Sequence, residues 1–298
     1  MENNLAIIGA GRVGRALGRR LRELGWKIGC VVTRREASAR RAVRFIGAGK
    51  PCAGMTRQIL ASPVILIATP DDEIPGVAQQ LARIGAEELH GKVVLHTSGA
   101  LDSRVLHGAQ EHGAAVGSMH PLQSFSGVAV PSLAGKVFAV EGDARAVRVA
   151  RQITRALGGS PVRITGDKKV LYHAAAAMAA GHVLAVEEAA TQLLVSLGMR
   201  RSEAVRALLP LTRQVLENFE RLGPRAAWTG PLSRGDYQVV KAHLEALRDS
   251  PEEFAEAYDA LNGLAARVLA QGVAGMLAEL KNVSVQRKTK TKVMGSNA

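Results

Sequence analysis

The sequence predicts an α/β fold, a doubly wound and mostly parallel sheet at the N-terminus followed by an all-α C-terminal domain, and three observations carry that prediction. Short apolar runs alternate with helical segments through the first half of the chain, the pattern of parallel strands joined by crossover helices. A glycine-rich segment, Gly9-Ala10-Gly11-Arg12-Val13-Gly14, stands between the first apolar run and the first amphipathic helix. After Gly166 the strand-like runs stop, and every long segment has helical spacing.

Taken in order, strands are predicted at residues 5–8, 28–33, 64–68, 93–97, 115–119, 136–140 and 160–164, with amphipathic helices at 13–24 and 74–84. Helices at 168–197, 202–222, 235–248 and 251–280 follow, Ser250-Pro251-Glu252-Glu253 providing a capped start for the last. The expected domains are 1–165 and 166–280, with a tail at 281–298. Five cations (Lys281, Arg287, Lys288, Lys290, Lys292) and no acid make that tail basic, and it is expected to be flexible and dispensable.

Composition narrows the function. A 47% hydrophobic content with 3% aromatics describes an interior of Ala, Val and Leu. The formal net charge of +13 invites a nucleic-acid reading, but neither an aromatic stacking surface nor a reading helix is legible, so no nucleic-acid partner is expected. Two cysteines, Cys30 and Cys52, allow at most one disulfide. Cys30 falls in a strand, and a reducing cytoplasm is the expected setting, since the first strand follows Met1 without a secretion signal. The longest apolar stretch, 174–186, is shorter than the roughly 20 residues that span a bilayer, so no membrane partner is expected.

The glycines occur in the strand-to-helix setting that makes GxGxxG a Rossmann dinucleotide fingerprint. Gly9 permits the turn, Gly11 close approach of a pyrophosphate, and Gly14 tight helix packing, with Arg12 and Val13 between them at the helix start. Where an NAD-binding chain carries an acid after its second strand, this one has Thr33-Arg34-Arg35, which suits the 2′-phosphate of NADP(H). Thr69 and Pro70, at the end of the third predicted strand, belong on the cofactor rim, while Asp71 and Asp72 read as helix-capping residues. His96 and His120 also fall at strand ends, where ligands bind in open sheets, though either could cap a strand-end carbonyl. Lys169 and His173, four residues apart, share a helix face. His182 is out of phase with them and reads as a packing histidine. Ser233, Arg234 and Asp236 could bind the polar end of a substrate, or merely cap a helix. No HxxxH, CxxC or GxSxG spacing occurs, so neither a metal site nor a serine-hydrolase elbow is expected.

Four segments together resemble a known family: His96-Thr97-Ser98-Gly99-Ala100, Met119-His120-Pro121-Leu122-Gln123-Ser124-Phe125, Lys169-Val170-Leu171-Tyr172-His173-Ala174-Ala175-Ala176-Ala177, and Gly230-Pro231-Leu232-Ser233-Arg234-Gly235-Asp236. Over about residues 4–280 the chain resembles bacterial Rossmann-like proteins with a C-terminal domain called DUF2520. More distantly it is similar to pyrroline-5-carboxylate reductases, ketopantoate reductases and β-hydroxyacid dehydrogenases. The resemblance implies NADP(H), a small substrate held between the domains and a homodimer formed by the helical domain. The Ala- and Leu-rich runs at 174–197 and 261–280 also favour a dimer. It further implies that Ser98 joins the cofactor-binding residues, and that Gln123 and Ser124 join Ser233, Arg234 and Asp236 at the substrate. His120, Lys169, His173 and His96 are the catalytic candidates. The chain departs from the family at Gly181, where an Asn is usual. Hydride transfer to or from a small carbonyl or imine is the expected reaction. The alternative is a non-catalytic NADP(H) sensor, which the missing Asn would explain.

Overall fold

The computed structural model describes the backbone of residues 3–294 and the side chains of residues 3–283. The chain forms two compact units, Met1–Gly181 and His182–Ala298.

The first unit is built on an eight-stranded sheet. Its elements in chain order are β1 (Asn4–Ile8), α1 (Arg12–Glu23), β2 (Lys27–Thr33), α2 (Glu36–Ile46), β3 (Lys50–Ala53), β4 (Val64–Ile67), α3 (Ile74–Gly85) and β5 (Val93–His96). The short α4 (His107–Gln110), β6 (Ala115–Pro121), β7 (Val137–Gly142), α5 (Ala144–Ala156), β8 (Ser160–Arg163) and α6 (Lys169–Ala177) complete it. The strand order is β3-β2-β1-β4-β5-β6-β7-β8, parallel throughout except for the β6/β7 pair. Period-two alternation sends Leu5 and Ile7 of β1 to one face and Ala6 and Ile8 to the other. Both faces are covered. Leu17, Leu21 and Phe138 close one layer, and Ile65, Ile67, Ile74 and Leu81 close the other.

Besides one-turn helices, three elements escape the sequence reading. β3, Lys50-Pro51-Cys52-Ala53, is a four-residue edge strand holding a proline, which only an edge tolerates. α2 carries three arginines and buries Ala39, Ala42 and Ile46, and α5 buries mostly alanine and valine. Helix α1 uses its arginines to tie down a neighbouring loop and the end of α2. Arg15 Nη2 donates to Gly127 O (2.7 Å), Arg20 Nη2 to Val130 O (3.1 Å) and Arg22 Nε to Ile46 O (3.1 Å).

The units divide at Gly181, later than the expected boundary after residue 165, because α6 packs its Lys169, Tyr172 and His173 into the first unit. A single helix runs over Gly166–Ser196, with a π-helical stretch at Met178–His182 between α6 and α7 (Val183–Ser196). By length and composition alone it could cross a membrane. The apolar stretch 174–186 lies within this longer helix, which continues past Glu187 and Glu188. His182 is exposed rather than packed.

The second unit contains α8 (Arg201–Leu222), α9 (Pro224–Ala227), α10 (Pro231–Arg234), α11 (Tyr237–Ala246), α12 (Glu252–Leu269) and α13 (Val273–Met294). Leu232, Val240, Ala266 and Leu280 form its small core, with Trp228, Tyr237 and Tyr258 packed around them. The helix expected at 251–280 is two helices, broken around Gln271-Gly272. On α7 and α8, Leu184 (69% exposed), Leu211 (63%) and Phe219 (56%) stand uncovered by their own chain. Backbone helix reaches Met294, but the expected flexibility of the 281–298 tail falls largely outside the described residues.

Candidate cofactor and catalytic site

The sheet order reverses direction at β1, flanked by β2 and β4, and this is where open α/β sheets bind ligands beyond their strand ends. A cavity of about 1090 Å³ lies there. It is lined by Gly9, Ala10 and Gly11 after β1, Thr33, Arg34 and Arg35 after β2, Gly54 and Met55 after β3, and Thr69 and Pro70 after β4.

The local structure follows from the glycines. Gly9 adopts φ +86°, which side chains rarely adopt, and a Cβ there would lie 2.6 Å from Thr69 N. A Cβ on Gly14 would lie 2.2 Å from Gly9 O, so Gly14 packs helix to turn beneath the cavity rather than lining it. Gly11 has nothing within 4 Å of its would-be Cβ. Helix α1 begins here without a side-chain cap, leaving its first N–H groups for an anion. Thr69 Oγ1 is buried without a hydrogen-bond partner, as expected of a hydroxyl waiting for one. These residues fit a dinucleotide.

At the other end of the cavity, Arg34 is 89% exposed and pairs with Glu73 at 3.3 Å. Thr33 is turned inward on the backbone, its Oγ1 donating to Arg35 O (2.7 Å), so the hydroxyl serves the turn. Arg35 is the residue before α2 and lines the cavity. Arg12 and Val13 are not among the lining residues; Val13 packs against the core. Sequence reasoning missed Ser38 on α2 and Gly76 and Gln80 on α3, which belong to no motif, and it missed Gly54 and Met55 together with β3.

Beside the cavity, a second group gathers at the ends of β5 and β6. His96 is fully buried, and Ser98 N donates to its Nδ1 (3.2 Å), so Nε2–H donates to Asp102 O (3.2 Å). Burial first, then the charge of Lys169, lowers its pKa to about 3. His96 is therefore a neutral brace for the 97–102 turn rather than an exposed acid. Ser98 is likewise engaged: its Oγ donates to Asp71 Oδ2 (2.7 Å) and accepts from the N–H groups of Ala100 and Leu101. Asp71 thus anchors this turn instead of capping α3. Lys169 is fully buried, its Nζ donating to Ser98 O (2.9 Å) and Ser118 Oγ (2.6 Å). Burial pulls its pKa down to about 8, against the nearby Glu141 carboxylate, so it stays mostly cationic at neutral pH.

His120 and His173 are brought together. Their ring centroids lie 5.5 Å apart, perpendicular, and both rings crowd Gly99, where a Cβ would lie 2.3 Å from His173 Nδ1 and 2.9 Å from His120 Nε2. Burial, followed by the His173 and Lys169 charges, lowers the His120 pKa to about 4. His120 Nδ1 is 2.9 Å from Tyr172 Oη, and burial raises that phenol to about 12. A neutral imidazole and a protonated phenol thus share one hydrogen bond, the arrangement of a proton relay. Tyr172 was missed as a site residue; its signal was the Tyr-His pair one helical turn after Lys169. His173 Nδ1 is buried without a partner.

The remaining candidates fall elsewhere. Gln123 Nε2 donates to Ser132 O (3.3 Å) and its Oε1 accepts from Ser124 N (2.9 Å), so both residues shape their own loop. Ser233, Arg234 and Asp236 belong to the second unit. Ser233 Oγ donates to Gly230 O (2.8 Å) and Arg234 Nε to Asp236 Oδ2 (2.9 Å), while Ser233 lines a separate cavity of about 660 Å³ beside Trp228 and Tyr237. Among the described residues no group of three or more His, Cys, Asp or Glu is placed to hold a metal ion.

Comparison with known proteins agrees with the fold. The model of the Rossmann-like domain matches residues 2–121, and that of DUF2520, a domain of unknown function, matches residues 136–264. A comparison with curated protein sequences found no match. Among solved structures, a Bacteroides fragilis protein provisionally described as an NADP oxidoreductase superposes with a TM-score of 0.73 at 22% identity, over 88% of this chain and 96% of its own. A reductive aminase from Aspergillus terreus in complex with NADPH and ethyl-5-oxohexanoate gives 0.60 at 20% identity, over 97% and 95%. An imine reductase from Pseudomonas sp. gives 0.63 at 17% identity, over 95% and 100%. At these identities the likeness establishes the fold. The chain is a Rossmann-like protein with a DUF2520 domain, the latter beginning within the sheet at β7.

Proposed function

We propose that this protein is an NADP(H)-dependent oxidoreductase acting on a small carbonyl or imine compound. One observation carries the reading: a cavity at the β1 switch point runs from the open face of Gly11 to the guanidinium groups of Arg34 and Arg35, with no acid at the end of β2. The reductive aminase and imine reductase named above lend it support as proteins of the same fold.

In this reading Gly9 and Gly11 keep the backbone clear for the pyrophosphate, the α1 N-terminus faces its charge, and Thr69 Oγ1 gains the partner it lacks. Arg34 or Arg35 takes the 2′-phosphate. The bound cofactor supplies the hydride. Proton handling is left to the chain, and Tyr172 with His120 is the pair equipped for it. Tyr172 Oη–H donating to Nδ1 leaves a proton on Nε2, which can be given to a developing alkoxide or amine and replaced through the phenol. His96, Ser98 and Lys169 act behind this pair by fixing the turn that carries Gly99. The protein is read as cytoplasmic and as a homodimer, the uncovered Leu184, Leu211 and Phe219 supporting the second point.

The test is to titrate the protein with NADPH and NADH, then follow NADPH oxidation against keto acids, ketones and cyclic imines. Turnover of one class, lowered strongly by Tyr172→Phe and His120→Ala, is the expected result. Binding without turnover of any class would favour the sensor, and absence of binding would reject the reading.

A further inference from the structure

Cys30 and Cys52, the two cysteines of the chain, form a disulfide across neighbouring parallel strands, with Cα atoms 6.2 Å apart. The register pairs Val32 with Cys52 and Cys30 with Lys50, so the bond is a diagonal tie between β2 and β3. Both residues are buried in the core layer on one face of the sheet. What it ties is one of the sheet's two edge strands. β3 has four residues, lies at the sheet edge and pairs with β2 alone, and Pro51 contributes no N–H to the ladder.

The same two strands end in the cavity wall. β2 delivers Thr33, Arg34 and Arg35, and β3 delivers Gly54 and Met55, with Gly54 N donating to Thr33 O (2.9 Å). The sulfur of Cys52 is thus two residues from the wall that faces the arginines. With sulfurs this deeply buried, exchange with an outside thiol requires β3 to lift, and lifting β3 removes Gly54 and Met55 from the cavity.

We propose that the Cys30–Cys52 bond is a reversible redox clasp on the adenosine end of the cofactor site. Oxidised, it holds β3 against β2 and keeps the wall formed; reduced, β3 is held only by its short ladder and the pocket binds NADP(H) less tightly. The chemistry balances as thiol–disulfide exchange with a low-molecular-weight disulfide. One cysteine thiolate attacks that disulfide, releases one small thiol and forms a mixed disulfide. The second cysteine displaces the other small thiol, so two electrons and two protons pass to the small-molecule pair. Reduction by a dithiol runs the same steps backwards. Because coupling is reciprocal, a cofactor that binds the oxidised form better also favours the closed clasp and slows its reduction.

The proposal rests on the cavity being the NADP(H) site, and the experiment separates the two. The full chain is prepared oxidised and, after dithiothreitol, reduced, each state verified by alkylation and mass measurement. Calorimetric titration with NADPH is expected to show affinity falling about fivefold or more on reduction. Cys52→Ser and Cys30→Ser should match the reduced protein and ignore dithiothreitol. Saturating NADPH should slow reduction of the wild-type bond. Equal affinity in the two states overturns the proposal, as does reduction at a rate indifferent to NADPH. If neither state binds NADPH the cofactor reading fails, and amide exchange at Cys52 to Met55 then decides: faster exchange on reduction upholds the clasp, and unchanged exchange rejects it.

Discussion

Arg34 of β2's outgoing turn and Glu73 of the turn before α3 form a 3.3 Å ion pair at the cavity, so the cation expected to read a 2′-phosphate is already paired with a carboxylate. The phosphate must draw Arg34 away from Glu73 or share it. Replacing Arg34 and Arg35 together by Ala is expected to weaken NADPH binding by roughly ten- to a hundredfold and to leave NADH nearly unchanged. Glu73→Gln is expected to act oppositely, tightening NADPH by about two- to fivefold, because an exposed pair of this kind is worth little and its carboxylate repels phosphate. Calorimetry with both cofactors at two salt concentrations checks both, and an equal loss of NADH in the double variant would show that the arginines serve the fold.

Gly99 leaves no room for a side chain between His120 and His173. Gly99→Ala should force both rings off their positions and cost on the order of 1–3 kcal/mol of stability. Loss of turnover should exceed loss of NADPH affinity, since the cavity residues lie elsewhere. Urea unfolding and paired Kd and kcat measurements test this; unchanged turnover would remove the histidine pair from the chemistry.

The depressed imidazoles set the acid side of stability. His96 and His120 hold folded pKa values near 3 and 4, against 6.5 when free, so below pH 6.5 the unfolded chain takes up protons that the folded chain does not. Stability should therefore fall as pH drops from about 6.5 toward 4. Lys169 works on the alkaline side, its folded pKa near 8 lying below the ordinary 10.5, so it adds stability as pH rises between those values. Urea unfolding from pH 4 to 10 checks the sign, and a flat acid limb in His96→Gln with His120→Gln would assign it.

Leu184 on α7 and Leu211 on α8 are two of the apolar side chains left open by the second unit. Changing both to Glu should turn a dimer into a monomer in sedimentation at micromolar concentration. A wild-type protein that sediments as a monomer would refute the homodimer.

Legibility in the sequence followed the range of the interactions. The Gly9-to-Gly14 turn and the Thr33-Arg34-Arg35 end of β2 are local features, and Gly9, Gly11, Thr33, Arg34 and Arg35 line the cavity with Gly14 beneath it. Lys169 was legible as a helix residue and His96 as a strand-end residue, but neither as buried, because Lys169 is held by Ser118 of β6 and His96 by the turn that carries Asp102. Tyr172 had no visible partner until β6 placed His120 against it. β3 was lost because Lys50-Pro51-Cys52-Ala53 offers no apolar run, and Gly54 and Met55 went with it.

The arginines of α1 bear on the basic character of the whole chain. Arg15, Arg20 and Arg22 each place guanidinium N–H groups on main-chain oxygens of segments remote in sequence, acting as cross-ties from the helix to a loop and to the end of α2. A planar fork can meet a carbonyl at the angle those segments require, and a lysine's single ammonium on a flexible stem cannot do so in the same way. An all-lysine version of this helix would have the same net charge and nearly the same isoelectric point, yet a looser join between the helix and those segments. Part of the high isoelectric point of this protein is thus a by-product of carpentry rather than a message to an acidic partner.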